Sequence, residues 1–203
     1  SISPYPILKN HLDKFQDIIT SSNKPYGLHR AREEKFFKGE KIISLRKCSR
    51  PTFTFTDFDC YVSQTYFSIQ TERLNQKYLT GLLNSDLIAF WLKYQGKMQG
   101  DLYQVDKAPL MDLPIIKASE EHQNAVDHLV STIISTKQKE LDYQQLLEKA
   151  KSENNFEREI QLTKELEQFS KDINQTESKI NSIVFSLYEL SPSEIATIEK
   201  NVN

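Results

Sequence analysis

Between Lys24 and Arg50, nine basic side chains (Lys24, Arg30, Arg32, Lys35, Lys38, Lys41, Arg46, Lys47 and Arg50) stand against three acids, Glu33, Glu34 and Glu40. Tyr26, His29, Phe36 and Phe37 lie among them. A charge run alone is a solvated face, but cations interleaved with aromatic rings suit nucleic acid, where phosphates are attracted and bases or base edges are read. Arginine can present two parallel donors to guanine O6 and N7, and glutamine or asparagine does the corresponding job for adenine. The candidate contacts are Arg30 and Arg32 after the Tyr26-Gly27 turn, with Lys24 and His29 beside them, then Arg46, Lys47 and Arg50 at the end of the first expected strand. A second group, Lys97, Met98, Gln99 and Tyr103, belongs to a stretch punctuated by Gly96 and Gly100. Each has an alternative as a surface charge or a contact internal to the fold.

Bond-breaking chemistry has less footing. His29 has no Ser, Cys or paired acid near it in sequence to form a nucleophile–base pair. His122 and His128 fall on an expected helix as exposed polar positions, while Cys48 and Cys60 read as strand residues packing as small hydrophobes. The two cysteines and four histidines show no zinc spacing, so no metal site is expected. The adjacent Glu33, Glu34 and Lys35 are the one fragment that a small magnesium-dependent nuclease could use, and it is a distant third reading.

The elements that must position these residues follow from composition and period. Gly and Pro total 12 of 203 residues, and 38% of the chain is hydrophobic against 27% charged, which excludes collagen-like, low-complexity and wholly disordered classes. No apolar run approaches the roughly 18–20 residues of a membrane span, and the opening Ser1-Ile2-Ser3-Pro4 has no signal-peptide build, so a cytoplasmic protein without membrane partners is expected. The formal charge of −2 hides an asymmetry: residues 1–116 hold 16 basic against 12 acidic residues, residues 117–203 hold 10 against 16.

Apolar positions from Tyr5 to Thr20 predict a helix beginning after Pro6. From Lys41 to Ile69, KIISL, TFTFT and YVSQTYFSI alternate with period two and predict three or four short antiparallel strands. Asn75 to Gln95 predicts one helix stopped by Gly96, and GKMQGDLYQVDKAPLMDLPI a structured loop running into an edge strand that ends at Pro114. Beyond Ile116, Leu162, Leu166, Phe169, Ile173, Thr176, Ile180, Ile183 and Leu187 are spaced 4-3-4-3-4-3-4, a heptad seam that needs a partner helix. A looser stripe, Val126, Leu129, Val130, Ile133, Ile134, Leu141 and Leu147, supplies it, with the turn at Lys151–Asn155. Ser191-Pro192-Ser193-Glu194 is a capping box that starts a last short helix. The expected class is α+β: a small antiparallel-sheet recognition domain over 1–116, then an antiparallel, coiled-coil-like helical hairpin and a capped C-terminal helix over 117–203.

Five segments in serial order carry a family resemblance: YPILKNHLDKF; GLHRAREEKFFKGEKIISLRKCSRPTFTF; DFDCYVSQTYFSI with YLTGLLNSDLIAFWLK; GDLYQVDKAPLMDLPI; and the tail SKINSIVFSLYELSPSEIATIE. Together they resemble the TaqI-like C-terminal specificity domain, which follows the catalytic domain in many adenine-N6 DNA methyltransferases and single-chain restriction-modification enzymes. Glu189 departs from the pattern, since such tails more often place Gly after Tyr, and no tight left-handed cap is expected there. The long helical segment from Lys137 to Thr176 exceeds what a minimal domain requires.

The resemblance implies a non-catalytic module for sequence-specific double-stranded DNA recognition, cut from a bacterial type II restriction-modification enzyme. The Gly-rich cofactor loop and the N-P-P-Y loop of an adenine methyltransferase are absent from these residues. S-adenosylmethionine is therefore expected in a catalytic domain of the same parent chain, with DNA cleavage an open second activity. The alternative is a protein-interaction or spacer scaffold, comparable to half of a specificity subunit, that self-associates or docks subunits through the hairpin. Arms of roughly 30 residues reach about 45 Å, the length of roughly 13 base pairs.

Overall fold

The computed structural model describes residues 2–16, 18 and 33–202. It divides into two compact units, residues 1–36 and 37–203. In the first, α1 spans Pro6–Asp13 with proline in its first turn, and Lys9 closes on Asp13 at 2.7 Å. The helix ends at Asp13, short of the expected Thr20, and none of its residues is buried. A 3-10 turn, Glu34–Phe37, leads into the second unit.

Four strands occupy the period-two region: β1 (Lys41–Leu45), β2 (Lys47–Cys48), β3 (Phe53–Thr56) and β4 (Tyr66–Ile69). β1 is central, with β3 and β4 antiparallel on either side. The connection from β3 to β4 must therefore cross over β1. Alternation sends Ile42 and Ser44 with Phe53 into the core, while Lys41 lies on the opposite face. The crossover covers Lys41, whose Nζ donates to the carbonyls of Phe58 (2.6 Å) and Gly39 (2.7 Å). One cation of the basic run is thereby 1% exposed and removed from the surface.

The expected single helix over 75–95 is two, α2 (Gln76–Leu83) and α3 (Asp86–Gln95). Asn84, still helical in backbone, ends α2 with its side chain on β3: its Oδ1 accepts from Phe53 N (2.9 Å) and its Nδ2 donates to Phe53 O (2.7 Å), and the chain leaves the helical path at Ser85, which is extended. Ser85 then caps α3, its Oγ accepting from Ile88 N. The stretch after Gly96 also differs from expectation. It forms a hairpin, β5 (Lys97–Gln99) and β6 (Leu102–Gln104), then a one-turn helix α4 (Lys107–Met111), with no edge strand to Pro114. Gly100, at φ +62°, opens the two-residue turn in a conformation that a side chain would oppose.

Two long helices follow, α5 (Glu120–Ser152) and α6 (Phe156–Leu187), packed as an antiparallel hairpin. All eight heptad positions of α6 are buried or half-buried. Tyr143 meets Phe169 edge-on, ring centroids 5.0 Å apart. Stepping from that contact, the partner seam on α5 is Val126, Leu129, Ile133, Thr136, Glu140, Tyr143, Leu147 and Ala150, each buried or half-buried. Ile134 and Leu141, expected in the stripe, are instead exposed, because the 3-4 spacing passes them by. Val126, Val130, Ile180 and Val184 join Tyr78, Leu82 and Ile88 in one core, so the composition change at Ile116 falls inside the second unit.

Both helix ends close by the same device. At α5, Asn155 N donates to Ala150 O (3.0 Å) and Asn154 N to Lys151 O (3.1 Å), with Asn154 at φ +53°. At α6, Leu190 N donates to Phe185 O and Glu189 N to Ser186 O, both 3.1 Å, with Glu189 at φ +53°. These are Schellman caps. The expectation of no tight left-handed cap at Glu189 is thus corrected: two carbonyl–amide bonds offset the strain of a side chain there. Glu189→Gly is expected to raise stability by about 0.5–1 kcal/mol, read as a Tm increase of about 1–4 °C by circular dichroism. An unchanged or lower Tm would show that the cap is unstrained. The capping box forms as expected: Glu194 Oε2 accepts from Ser191 N (2.8 Å), and α7 (Pro192–Val202) follows.

Burial raises the Tyr188 phenol, and burial together with Tyr188 raises that of Tyr78. Both stay neutral and donate inward, Tyr78 Oη to Ile116 O (3.0 Å) and Tyr188 Oη to Pro114 O (2.6 Å), pinning the 114–116 segment ahead of α5.

Candidate nucleic-acid interface

β1 runs on into β2 through Arg46, whose N–H donates to Thr65 O (2.9 Å) and whose carbonyl accepts from Val105 N (2.8 Å). One extended segment therefore serves two sheets, the second with order β2-β6-β5. Lys47, Gln104 and Lys97 lie in one cross-strand row, and Cys48, Tyr103 and Met98 in the next. Adjacent rows point to opposite faces. Tyr103, 7% exposed, and Val105 face the core, so the other face, carrying Lys47, Lys97, Gln99 and Leu102, looks to solvent. On it Lys47 reaches over β6 and its Nζ donates to Gln99 Oε1 (2.6 Å). Gln104 Nε2 donates to Asp106 Oδ2 (2.9 Å).

The sequence candidates are distributed unevenly. Lys24, His29, Arg30 and Arg32 lie outside the described residues. Lys47, Lys97 and Gln99 come together on the exposed face. Tyr103 does not join them: its ring is a core residue, and burial raises its phenol, which stays neutral. Burial likewise raises the Cys48 thiol beside it. Arg46 pairs with Asp106 (3.2 Å) and lies over the Phe67 ring at 5.2 Å. Arg50 is bound to Asp86, the first residue of α3, whose second oxygen accepts from Asn181 Nδ2 (2.9 Å). These two guanidinium groups are engaged with the molecule's own carboxylates. Lys35 pairs with Glu33 (2.6 Å), and Lys38 is exposed. Lys47, exposed, has a neutral partner in Gln99 and no carboxylate paired with it among the described residues.

Leu102 and Gln104 were missed as members of this face. Their signal was the alternation L-Y-Q-V directly after Gly100-Asp101. Among the described residues no three His, Cys, Asp or Glu side chains gather to hold a metal ion, and no helix is long and apolar enough to cross a membrane.

The model of the TaqI-like C-terminal specificity domain matches residues 2–115, more than half of the chain. The chain belongs to that family. This specificity-domain match runs from α1 through α4 and stops before α5, so the sheets, the hairpin β5–β6 and the α2–α3 pair are its common part, and the long helices lie beyond it. The chain is also similar to the type II methyltransferase M.HincII of Haemophilus influenzae and to M.HindII of Haemophilus influenzae strain Rd, at 25% identity over 118 residues in each case. The alignments cover 51% of this specificity-domain chain but only 24% and 23% of those relatives.

Proposed function

We propose that this chain is the DNA target-recognition module of a longer restriction-modification methyltransferase. The observation that carries the reading is the solvent-facing β2–β6–β5 surface, where two lysines and a glutamine stand on a paired ribbon in a member of a specificity-domain family. A two-stranded ribbon fits the major groove, and an amide can address base edges there. Lys97 supplies a phosphate contact; Lys24, His29, Arg30 and Arg32 are further contacts of the same reading. The parent, in this reading, carries a catalytic domain that uses S-adenosylmethionine to methylate adenine N6, and DNA cleavage is a separate activity of the same system.

Electrophoretic retardation with a random-sequence 30-base-pair duplex at 50 and 200 mM salt tests it. Binding is expected to weaken steeply with salt, and Lys97→Ala to reduce the log–log slope by about 0.9, so that the loss between the two salts shrinks roughly three- to fourfold. No retardation at 50 mM would sink the proposal. A second reading, an arm that docks another subunit or a second copy, is favoured by Phe156 and Ile160 near the hairpin turn, 71% and 59% exposed. Absence of DNA binding together with a dimer in sedimentation would select it.

A further inference from the structure

Lys47 and Gln99 are held as a pair, and the pairing changes what the glutamine can read. A free glutamine amide matches adenine because it offers one donor to N7 and one acceptor to the N6 amino group. Here one of the acceptor's two lone pairs is taken: Lys47 Nζ donates to Gln99 Oε1 at 2.6 Å. A cation at that distance also repels any second donor approaching the same oxygen. With the second lone pair disfavoured beside the cation, what the pair chiefly offers is donors, the two N–H of Gln99 Nε2 and the N–H groups of the Lys47 ammonium not spent on Gln99. No other hydrogen bond of either side chain is found among the described residues, and both are exposed.

Two adjacent donors carrying positive charge are the display that an arginine fork makes. Its complement in the major groove is guanine, whose N7 and O6 are neighbouring acceptors, whereas adenine would set its N6 amino group against the ammonium. The ribbon keeps the pair in register: Lys97 and Gln99 share a strand face, Gln99 sits opposite Leu102, and Lys47 lies in the row of Gln104 and Lys97. Leu102 brings no donor or acceptor to compete.

We infer that Lys47 and Gln99 form a composite donor fork that reads one guanine of the target in the major groove. The inference rests on the DNA-recognition proposal above. Its test is a selection from duplexes with a randomised eight-base-pair centre, with sequencing of the bound fraction for the wild-type chain, Lys47→Met and Gln99→Ala. The wild type is expected to show a position enriched in guanine. Lys47→Met, which keeps the aliphatic stem but frees Oε1, is expected to move that position toward adenine by roughly tenfold, and Gln99→Ala to flatten it, other positions unchanged. Equal Tm values confirm that neither exposed substitution disturbs the fold.

Adenine preference at that position in the wild type would overturn the fork. So would a uniform affinity loss across all sequences, which marks a phosphate contact, or a matrix that neither variant alters. A wild type that binds no duplex overturns the DNA-recognition reading itself, whereas binding with an unaltered matrix removes only the fork.

Discussion

Gly81→Leu is expected to abolish the native fold, and Gly81→Ala to lower its stability by about 1–2 kcal/mol even though alanine is the better helix former by about 1 kcal/mol. A Cβ at Gly81 would stand 2.5 Å from Val126 Cγ1, 3.1 Å from Val130 Cγ2 and 3.6 Å from Ile180 Cγ2. None of these atoms is the far end of a flexible side chain. Valine in a helix has one strongly favoured rotamer, and Val126 is fully buried with Val130 beside it. The only relief is for α2 to move away from α5 and α6, which opens the core that joins the sheets to the hairpin. For a chain of this size the alanine variant is expected to melt about 2–8 °C below the wild type. A Tm equal to or above the wild type would show that the helices separate freely and that the close approach is not a constraint.

Asp86→Ala is expected to cost about 2–3 kcal/mol, and Arg50→Ala less, about 1–2 kcal/mol. The carboxylate sits at the first position of α3, where the helix dipole favours it, with its side chain 11% exposed. It accepts from Arg50 and from Asn181 Nδ2, while its own backbone N–H donates to Asn181 Oδ1 (2.9 Å). Removing it leaves Asn181 Nδ2 without its acceptor inside the interface between α3 and α6, while Asn181 Oδ1 keeps the backbone N–H of residue 86. The guanidinium, 43% exposed, regains water in part, which is why the cost stays below that of a fully buried pair. Urea melts measure the loss. The same variants separate structure from recognition: at 25 °C, where the folded form still dominates, Arg50→Ala is expected to leave duplex affinity unchanged. A drop in affinity with unchanged stability would return Arg50 to the recognition surface and remove its role as a clamp between the strand region and the hairpin.

How much of this was legible beforehand depends on whether an interaction is local. The heptad spacing from Leu162 to Leu187 reports α6 faithfully, because any helix must bury a stripe recurring every three and four residues. The Ser191–Glu194 capping box also needs only its own four residues. The break between α2 and α3 was harder to see. Asn84 and Ser85 are helix-terminating and helix-capping types, but the apolar stripe runs through them; the break falls at the extended Ser85, directly after Asn84 pairs through its side chain with the distant Phe53. Likewise Ile134 and Leu141 are apolar at helical spacing, and only the partner seam decides that Thr136 and Glu140 face inward instead.

The candidate site divides along the same line. Residue types alone established a cation-rich, aromatic-bearing strand region, an α+β class and a long helical arm, since composition and period are properties of the chain itself. Which cations remain available was decided by tertiary structure. A crossover buries Lys41, Asp106 and Asp86 arrive from 60 and 36 residues away to engage Arg46 and Arg50, and a distant hairpin places Gln99 under Lys47. Electrostatic pairing depends on separation in space, and charge along the chain carries no information about that distance until the strands have been paired.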